Sequence, residues 1–148
     1  MFKRKMNIVL ALAVCALLLS VTVSAKNQVT RPMQLSGSGI LSVTGESTWE
    51  ATESGQATHL GRYTLVENGT FSPDWLDWVG EGTFTAANGD KLDFTVEIIC
   101  VGLEQIGWMD FTGGTGRFAD ATGLVDLVSV TNPVTGSYTI SGTGTIAY

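Results

Sequence analysis

The stretch that decides the fold is residues 80–101, which read GEGTFTAANGDKLDFTVEIICV. Two runs rich in Thr, Val, Ile and Phe flank the tripeptide Asn88-Gly89-Asp90, and apolar residues alternate with polar ones in the second run. Alternation with a period of two is typical of a β-strand with one buried face. Asn-Gly between two such runs favours a type I′ turn, because both residues tolerate positive φ. The stretch therefore predicts a β-hairpin, with strands at 80–87 and 91–101.

The same pattern recurs along most of the chain after residue 25, where no apolar period of 3.6 residues persists for three turns. Short segments rich in β-branched and aromatic residues alternate with glycine-rich turns, and Asn68-Gly69 predicts the turn that ends the third strand. The regular spacing predicts an all-β sandwich or barrel. Its eight predicted strands are 34–44, 46–53, 58–66, 80–87, 91–101, 106–112, 123–131 and 137–148.

Two segments depart from this pattern. Ser72 and Pro73 open residues 72–79 with the residue types that cap and begin a helix, which predicts one helical turn that brings Trp75 and Trp78 together. Residues 117–122 lie between two glycines and have room for about one turn. Neither segment is long enough to change the all-β interpretation.

Residues 1–25 have the features of a secretory signal peptide. Lys3-Arg4-Lys5 precedes an apolar run at 8–19, and small residues at 23–25 predict cleavage after Ala25. An uncleaved membrane anchor is the alternative, but the run is short against the roughly 20 residues that span a bilayer. We expect a secreted or periplasmic protein, without membrane contact after cleavage, whose residues 26–148 form one β-barrel domain.

The composition of residues 26–148 excludes several classes of protein. This part carries 5 basic residues against 14 acidic ones, so a nucleic-acid partner is not expected. It holds one histidine, His59, and one cysteine, Cys100, and no nucleotide- or metal-binding motif with a supporting context. We therefore expect neither a metal nor a cofactor. Cys100 shares the apolar face of residues 91–101, which favours a small core residue over a reactive thiol.

A glycine-rich segment follows the sixth predicted strand. Residues 114–119 match the dinucleotide-binding pattern G-x-G-x-x-A, but neither a long helix nor a βαβ unit surrounds them, so the match is accidental. A tight crossing between strands explains the segment better. In this interpretation Gly113, Gly114, Gly116 and Gly123 adopt unusual backbone angles, and Phe118 plugs the barrel.

The same segment, Phe111-Thr-Gly-Gly-Thr-Gly-Arg-Phe-Ala-Asp-Ala-Thr-Gly123, resembles the glycine-rich motif of dirigent proteins, which share an eight-stranded antiparallel barrel with allene oxide cyclases. Over most of its length after the leader, the chain also resembles a group of exported bacterial hypothetical proteins, through residues 58–62 and 82–89. The resemblance implies the barrel, with a calycin-like barrel or a small sandwich as alternatives. It also implies a homo-oligomer, because dirigent and cyclase barrels commonly form trimers.

Candidate ligand contacts come from two groups of residues. Trp49, Trp75, Trp78 and Trp108 are large rings that can close an apolar cavity or simply cap the core. His59 and Arg62 can form an acid–base or anion site, or hold a loop. Carboxylates also occur in pairs at Glu46/Glu50, Asp74/Asp77 and Asp90/Asp93; the first pair lies near Trp49, where it can line a groove. A solvated acidic exterior is the simpler interpretation of these pairs.

Three functions from different classes remain open. The favoured hypothesis is a non-enzymatic exported barrel that binds a small apolar or aromatic molecule at its open end, through the tryptophans. The second is a cofactor-free cyclase or dirigent-like coupling-guide protein, in which His59 and Arg62 are the first polar residues to test. The third is a structural or surface-interaction module whose interior is filled. A cavity of about 300 Å³ or more would distinguish the first two from the third.

Overall fold

The structure is a computed structural model that describes residues 28–148, so the predicted signal peptide at 1–25 lies outside the described residues. Eight strands and one short 3₁₀ helix make up this part of the chain. No helix among residues 28–148 is long and apolar enough to cross a membrane. The strands are β1 Thr30–Val43, β2 Thr48–Ala57, β3 Gly61–Phe71, β4 Asp77–Ala86, β5 Lys91–Val101, β6 Glu104–Gly114, β7 Thr122–Thr131 and β8 Ser137–Ala147, and the 3₁₀ helix is Gly116–Phe118.

The strands form a closed antiparallel barrel in which each strand pairs with the next, and β8 pairs with β1. The closing ladder runs from the pair Thr30 and Ala147 to the pair Ile40 and Ser137. Closure leaves no unpaired strand edge, which excludes the small sandwich. The predicted all-β, eight-stranded antiparallel barrel is confirmed.

The predicted turn at Asn68-Gly69 is wrong, because β3 continues to Phe71. Gly69 pairs with Trp49 on β2 and with Gly80 on β4, so it is an interior strand residue. A hydrogen atom is the only side chain that fits there, since a Cβ at Gly69 would lie 2.9 Å from Cζ2 of Trp49. Packing, and not turn formation, requires glycine at this position.

The predicted helical turn over residues 72–79 is also wrong. Residues 72–76 form a non-helical loop in which Trp75 has a φ of 64°, and β4 already begins at Asp77. The Ser72 hydroxyl does not cap a helix. It donates a hydrogen bond to Asp74 Oδ1 over 2.5 Å and accepts one from the Asp77 amide over 3.0 Å, which closes the loop across its base.

The hairpin at residues 87–90 is present, but its turn is not type I′. A type I′ turn needs positive φ at both Asn88 and Gly89, but only Gly89 has one, with a φ of 88°. The Gly89 amide donates to the Ala86 carbonyl over 2.9 Å, and the Ala86 amide donates to the Asp90 carbonyl over 2.9 Å. These bonds describe a three-residue loop with a left-handed glycine, the next most common hairpin after the two-residue form.

The loops define two ends of the barrel. The tryptophan end carries the loops at residues 44–47, 72–76, 102–103 and 132–136. The arginine end carries the loops at residues 58–60, 87–90 and 115–121, together with the start of β1 and the end of β8. Phe118, which is completely buried, closes the arginine end, and its ring lies 5.1 Å from that of Tyr148.

Large side chains fill the interior next to glycines on neighbouring strands. Trp49 points inward from β2, and its indole covers Gly69 and Gly80 on the two strands beside it. A Cβ at Gly80 would lie 2.7 Å from Cζ2 of Trp49. Alternation of large and small residues is how a small barrel fills its interior with side chains of unequal size.

Gly80→Ala tests this packing directly. Because Trp49 is 1% exposed and cannot move into solvent, the added methyl group should lower the free energy of unfolding by about 1–3 kcal/mol. Urea denaturation of the purified protein measures this change. The matched control is Glu81→Ala, one residue along β4 on the exposed outer face, which should change stability by less than about 0.5 kcal/mol. Equal effects of the two substitutions would contradict the proposed packing.

Candidate functional site

A cluster of four polar side chains lies inside the apolar barrel; we call it the interior polar cluster. Its members are Glu53 on β2, Glu67 and Tyr63 on β3, and Tyr138 on β8. Glu53 is 6% exposed, Tyr63 3% and Tyr138 6%, so these three side chains are removed from bulk water. A buried polar group is costly unless it is hydrogen-bonded, and Glu53 and the two tyrosines satisfy this requirement within the cluster.

Glycines on β1 let both tyrosines reach Glu53. Gly39 pairs with Glu53 on one side and with Tyr138 on the other, and a Cβ at Gly39 would lie 2.7 Å from Cζ of Tyr138. The Tyr138 ring therefore passes over β1 to reach the carboxylate.

The second tyrosine uses another pair of glycines. Tyr63 pairs with Gly55, which pairs with Gly37. Cβ atoms at these glycines would lie 2.7 and 2.5 Å from the Tyr63 hydroxyl. Any larger residue at either glycine would push the hydroxyl away from Glu53.

Both oxygens of Glu53 accept a tyrosine hydrogen bond. Tyr63 donates to Oε1, and Tyr138 donates to Oε2 over 3.0 Å. Burial raises the pKa of the Glu53 carboxyl, and the two hydrogen bonds oppose this shift because they stabilise the carboxylate. Burial, reinforced by the nearby carboxylates, raises the pKa of both tyrosines, so the phenols stay protonated and remain donors.

Glu67 is the titratable member of the cluster near neutral pH. Burial, followed by the negative charge of Glu53, raises the pKa of Glu67 to about 8. Its Oε1 lies 3.5 Å from the Tyr138 hydroxyl, which already donates its one proton to Glu53. At pH 7 Glu67 is therefore mostly protonated, and its own hydroxyl is the available donor toward Tyr138.

The interior polar cluster borders a small cavity. The cavity has a volume of about 30 Å³, and its polar border consists of Glu53, Glu67 and Tyr138 together with Gln105, Ser129 and Thr131. Apolar side chains form the rest of the border. About two water molecules fit in this volume. The closed interior is thus nearly filled and is far below the roughly 300 Å³ of a typical small-molecule pocket.

An open hollow lies above the cavity at the tryptophan end. Its volume is about 490 Å³, and Trp75, Trp78 and Cys100 are among the residues that line it. Leu41, Trp78, Gln105 and Thr131 border both this hollow and the inner cavity, so the two spaces adjoin at this neck. A larger depression of about 970 Å³ runs over the outer face of the barrel from β2 across β1 and β8 to the end of β7, but it is open to solvent.

Aromatic rings form one wall at the tryptophan end. Phe71 stacks on Trp75 with a centroid separation of 4.0 Å, and Trp78 lies 5.1 Å from Phe71 and 5.8 Å from Trp49. The Trp78 indole NH donates to the Trp75 carbonyl over 2.9 Å, which fixes the loop against the barrel. Trp75 is 47% exposed and Trp78 is buried, so the wall runs from solvent into the barrel.

The candidate ligand contacts that the sequence analysis identified lie at three separate places in the structure. Trp49, Trp75 and Trp78 meet at the tryptophan end. Trp108 lies on the outer face of β6, between Glu97 on β5 and Asp126 on β7, so it does not border the interior. His59 and Arg62 are at the arginine end.

At the arginine end, His59 holds a loop. Its Nε2 lies 2.9 Å from the Pro32 carbonyl oxygen, its φ is 71°, and its own carbonyl accepts a 2.5 Å hydrogen bond from Arg117. Arg62 is exposed on the outer face of β3. The two side chains therefore lie at the opposite end of the barrel from the tryptophan wall.

The glycine-rich segment also lies at the arginine end. Gly113, Gly114, Gly116 and Gly123 have φ values of 124°, 155°, 57° and 151°. The first two lie beside an irregularity in the β5–β6 ladder at Asp93 and Phe94. The 3₁₀ helix that follows has only three residues and positions Phe118 as the plug.

Sequence reasoning missed Glu53 and Glu67, and weighed other carboxylates instead. The groove predicted from Glu46, Glu50 and Trp49 does not form, because Trp49 points inward while Glu46 and Glu50 are exposed. The alternation of inward and outward side chains along β2 could have identified Glu53 as an interior residue. Glu53 is an even number of residues from Trp49, so both share the inward face.

Cys100 lines the hollow beside the neck, half-buried and packed against the core. Burial raises the pKa of its thiol, which reduces the fraction of reactive thiolate. Among residues 28–148, no group of three or more His, Cys, Asp or Glu side chains is arranged to hold a metal ion.

Comparison with solved structures finds a similar fold in a pterocarpan synthase dirigent protein. The TM-score is 0.56, the sequence identity is 12%, and the alignment covers 84% of this chain and 87% of that chain. At this identity the likeness concerns the fold alone, and it shows that the chain has a dirigent-like barrel. No family model matches the sequence, and no curated protein matches it.

The pKa of Glu67 predicts how stability depends on pH. The carboxyl titrates near 4.5 in an unfolded chain and near 8 in the barrel, so between these values only the folded state holds the proton. Its contribution to stability is therefore complete below pH 4.5 and is lost as the pH rises through 8. Glu67→Gln, which stays neutral, should be more stable than the wild type at pH 9 by at most a few kcal/mol, with little difference at pH 5.

Thermal denaturation between pH 4 and pH 10 measures this difference. Glu50→Gln is the matched control, because it makes the same change at an exposed position on β2 and should leave the pH profile unchanged. Parallel profiles for the wild type and Glu67→Gln would contradict the assignment.

Proposed function

We propose that the barrel binds a small apolar or aromatic molecule at its tryptophan end and recognises a polar group on that molecule through Glu53 and Glu67. The observation that carries this proposal is the interior polar cluster at the inner end of an aromatic-lined opening. Buried carboxyls reduce the stability of a barrel that apolar side chains could fill, so a functional reason for them is the simplest explanation.

Ligand entry requires the neck to widen. Of the four residues at the neck, Leu41, Gln105 and Thr131 are only partly buried, and Trp78 is buried. The hollow of about 490 Å³ already accommodates an aromatic ring, while the inner cavity of about 30 Å³ accommodates one small polar group. A molecule with an apolar body and one hydrogen-bonding group matches this pair of volumes.

A dirigent-like or cyclase activity without a cofactor is the second candidate, and Glu67 favours it. A carboxyl with a pKa of about 8 can donate or accept a proton near neutral pH, and Tyr138 lies 3.5 Å away. The similarity to a dirigent protein supports the same candidate at the level of fold. The residues to test for catalysis are then Glu53 and Glu67, and not His59 and Arg62.

The nearly filled interior supports the third candidate, a structural barrel without a ligand. An exposed apolar row on the outer face supports a homo-oligomer: Ile99, Ile106 and Val128 are neighbours on β5, β6 and β7 and are 41%, 44% and 43% exposed.

We further propose that residues 1–25 direct export to the periplasm or the medium, on the basis of the leader sequence.

Native mass spectrometry tests these proposals on protein purified gently from an exporting host. We expect a mature chain that begins at Lys26 and a bound small molecule that is lost on denaturation.

Trp78→Ala should lose this molecule, because Trp78 borders both the hollow and the cavity. The control Arg62→Ala, exposed at the other end, should keep it. A ligand-free mass for the wild type would favour the structural barrel, and the complex mass gives the oligomeric state.

Turnover of the recovered molecule separates binding from catalysis. If the protein is an enzyme, Glu67→Gln should still bind the molecule but should lower its conversion by about 10²–10⁴-fold, the usual contribution of a general acid or base. Unchanged amounts of the molecule after incubation with the wild-type protein, followed by chromatography, would favour a binding protein.

A further inference from the structure

We propose that the preferred ligand of this opening is an organic cation, namely an aromatic or apolar body that carries a protonated amine, with the amine bound by Glu53 and Glu67. This inference rests on the proposed function, because it names the ligand class of the same site. Three independent features of the described residues support it: the charge inside the barrel, the charge at its two ends, and the aromatic wall.

Among the described residues, no basic side chain borders the cavity. The ionisable groups of the interior are Glu53, Glu67, Tyr63 and Tyr138 from β2, β3 and β8, with Cys100 from β5 in the hollow beside the neck. The inward faces of β1, β4, β6 and β7 contribute no ionisable group beside the cavity, and their polar side chains there, Gln105, Ser129 and Thr131, are neutral. Glu67 borders the cavity, and none of residues 28–148 donates a hydrogen bond to its second oxygen, Oε2. An ammonium group supplies the missing donors and the missing positive charge.

The two ends of the barrel differ in charge. The described residues include four basic side chains, and all four lie at the arginine end: Arg31, Arg62, Lys91 and Arg117. Acidic residues occur at both ends, with Asp90 and Asp120 at the arginine end, but at the tryptophan end no basic residue among those described accompanies them. The acidic residues of the tryptophan end are Glu46, Glu50, Asp74, Asp77 and Glu104. The opening therefore lies in a region of negative potential, which attracts cations and repels anions.

The aromatic wall suits the same ligand class. Trp75 presents a ring that is 47% exposed beside the hollow, and Trp78 continues the wall to the neck. Indole faces attract ammonium groups and also stack on aromatic bodies. An amine can therefore pass along the wall to the carboxyls while its aromatic body stays in the hollow.

Binding of a cation must be coupled to the release of a proton. Below pH 8 Glu67 carries a proton, and its negative form pairs better with an ammonium group. The groups that face it are Glu53, Tyr63 and Tyr138; the phenols remain protonated, so the proton released comes from the carboxyl pair. Affinity for an amine should consequently rise as the pH increases from 6 to 8, and then level off.

Isothermal titration calorimetry with three ligands of similar size tests the inference: tryptamine, which is cationic, tryptophol, which is neutral, and indole-3-acetate, which is anionic. The series benzylamine, benzyl alcohol and benzoate repeats the comparison with a smaller body. We expect each amine to bind at least about tenfold more tightly than its alcohol, the usual gain from a charge-assisted hydrogen bond, and each acid to bind most weakly. Titrations in buffers of different ionisation enthalpy should show proton release for the amines only.

Two matched variants assign the effect to the cavity. Glu67→Gln should remove most of the preference for the amine and its proton release, while the alcohol binds as before. Glu81→Gln makes the same substitution on the outer face of β4, midway between the two ends of the barrel, and should leave all affinities unchanged. A loss of preference in Glu81→Gln alone would place the effect on the surface and overturn the inference.

The remaining outcomes separate this inference from the proposed function. Alcohols or acids that bind as tightly as the amines would overturn the cation preference and leave a small-molecule site at the tryptophan end. Absence of binding for every member of both series would overturn the cation site. If the native mass spectra were also ligand-free, the proposed binding function would fail with it.

Discussion

The interior of a closed eight-stranded barrel has a limited volume, and this chain fills it by placing several of its large inward side chains beside glycines on neighbouring strands. Trp49 covers Gly69 and Gly80, and Tyr138 crosses Gly39. A Cβ at any of these positions would overlap the ring, so only glycine leaves space for the ring where it lies. The core, the neck and the interior polar cluster all depend on this alternation.

The interior polar cluster is the most specific product of that packing. Tyr63 and Tyr138 come from strands that are not neighbours, yet their hydroxyls meet at one carboxylate because glycines on β1 and β2 leave space for both rings. The hydrogen bonds satisfy Glu53, whereas Glu67 has one long contact and a strongly raised pKa. The arrangement thus combines one well-satisfied carboxylate with one that can exchange a proton near neutral pH. Such a combination is typical of functional sites.

The two ends of the barrel differ in how far side chains close them. At the arginine end, Phe118 and Tyr148 close the interior, and hydrogen bonds from Arg117 and to Pro32 fix the loop that carries His59. At the tryptophan end, three of the four neck residues are only partly buried, and an open hollow lies above them. The cavity that Glu53 and Glu67 border adjoins this hollow at the neck.

Much of the fold follows from local patterns in the sequence. Alternating apolar residues at 91–101, glycine-rich turns and the absence of helical periodicity predict an all-β chain, and strand β5 begins and ends at the predicted residues. Local rules failed at Asn68-Gly69, where the dipeptide typical of a turn lies within a strand. The reason is tertiary, because the ring of Trp49 from another strand occupies the space above Gly69.

The amino-acid sequence alone determined the fold class, because strand alternation and turn chemistry are local properties that neighbouring residues specify. It also determined that four tryptophans and few basic residues would be available for a site. Only the tertiary structure decided which of these residues meet. Glu53, Glu67, Tyr63 and Tyr138 span 86 residues of the chain, and the register of the β1–β2, β1–β8 and β2–β3 ladders brings them to one cavity. Barrel closure sets that register through packing across the whole interior, which no short segment of sequence contains.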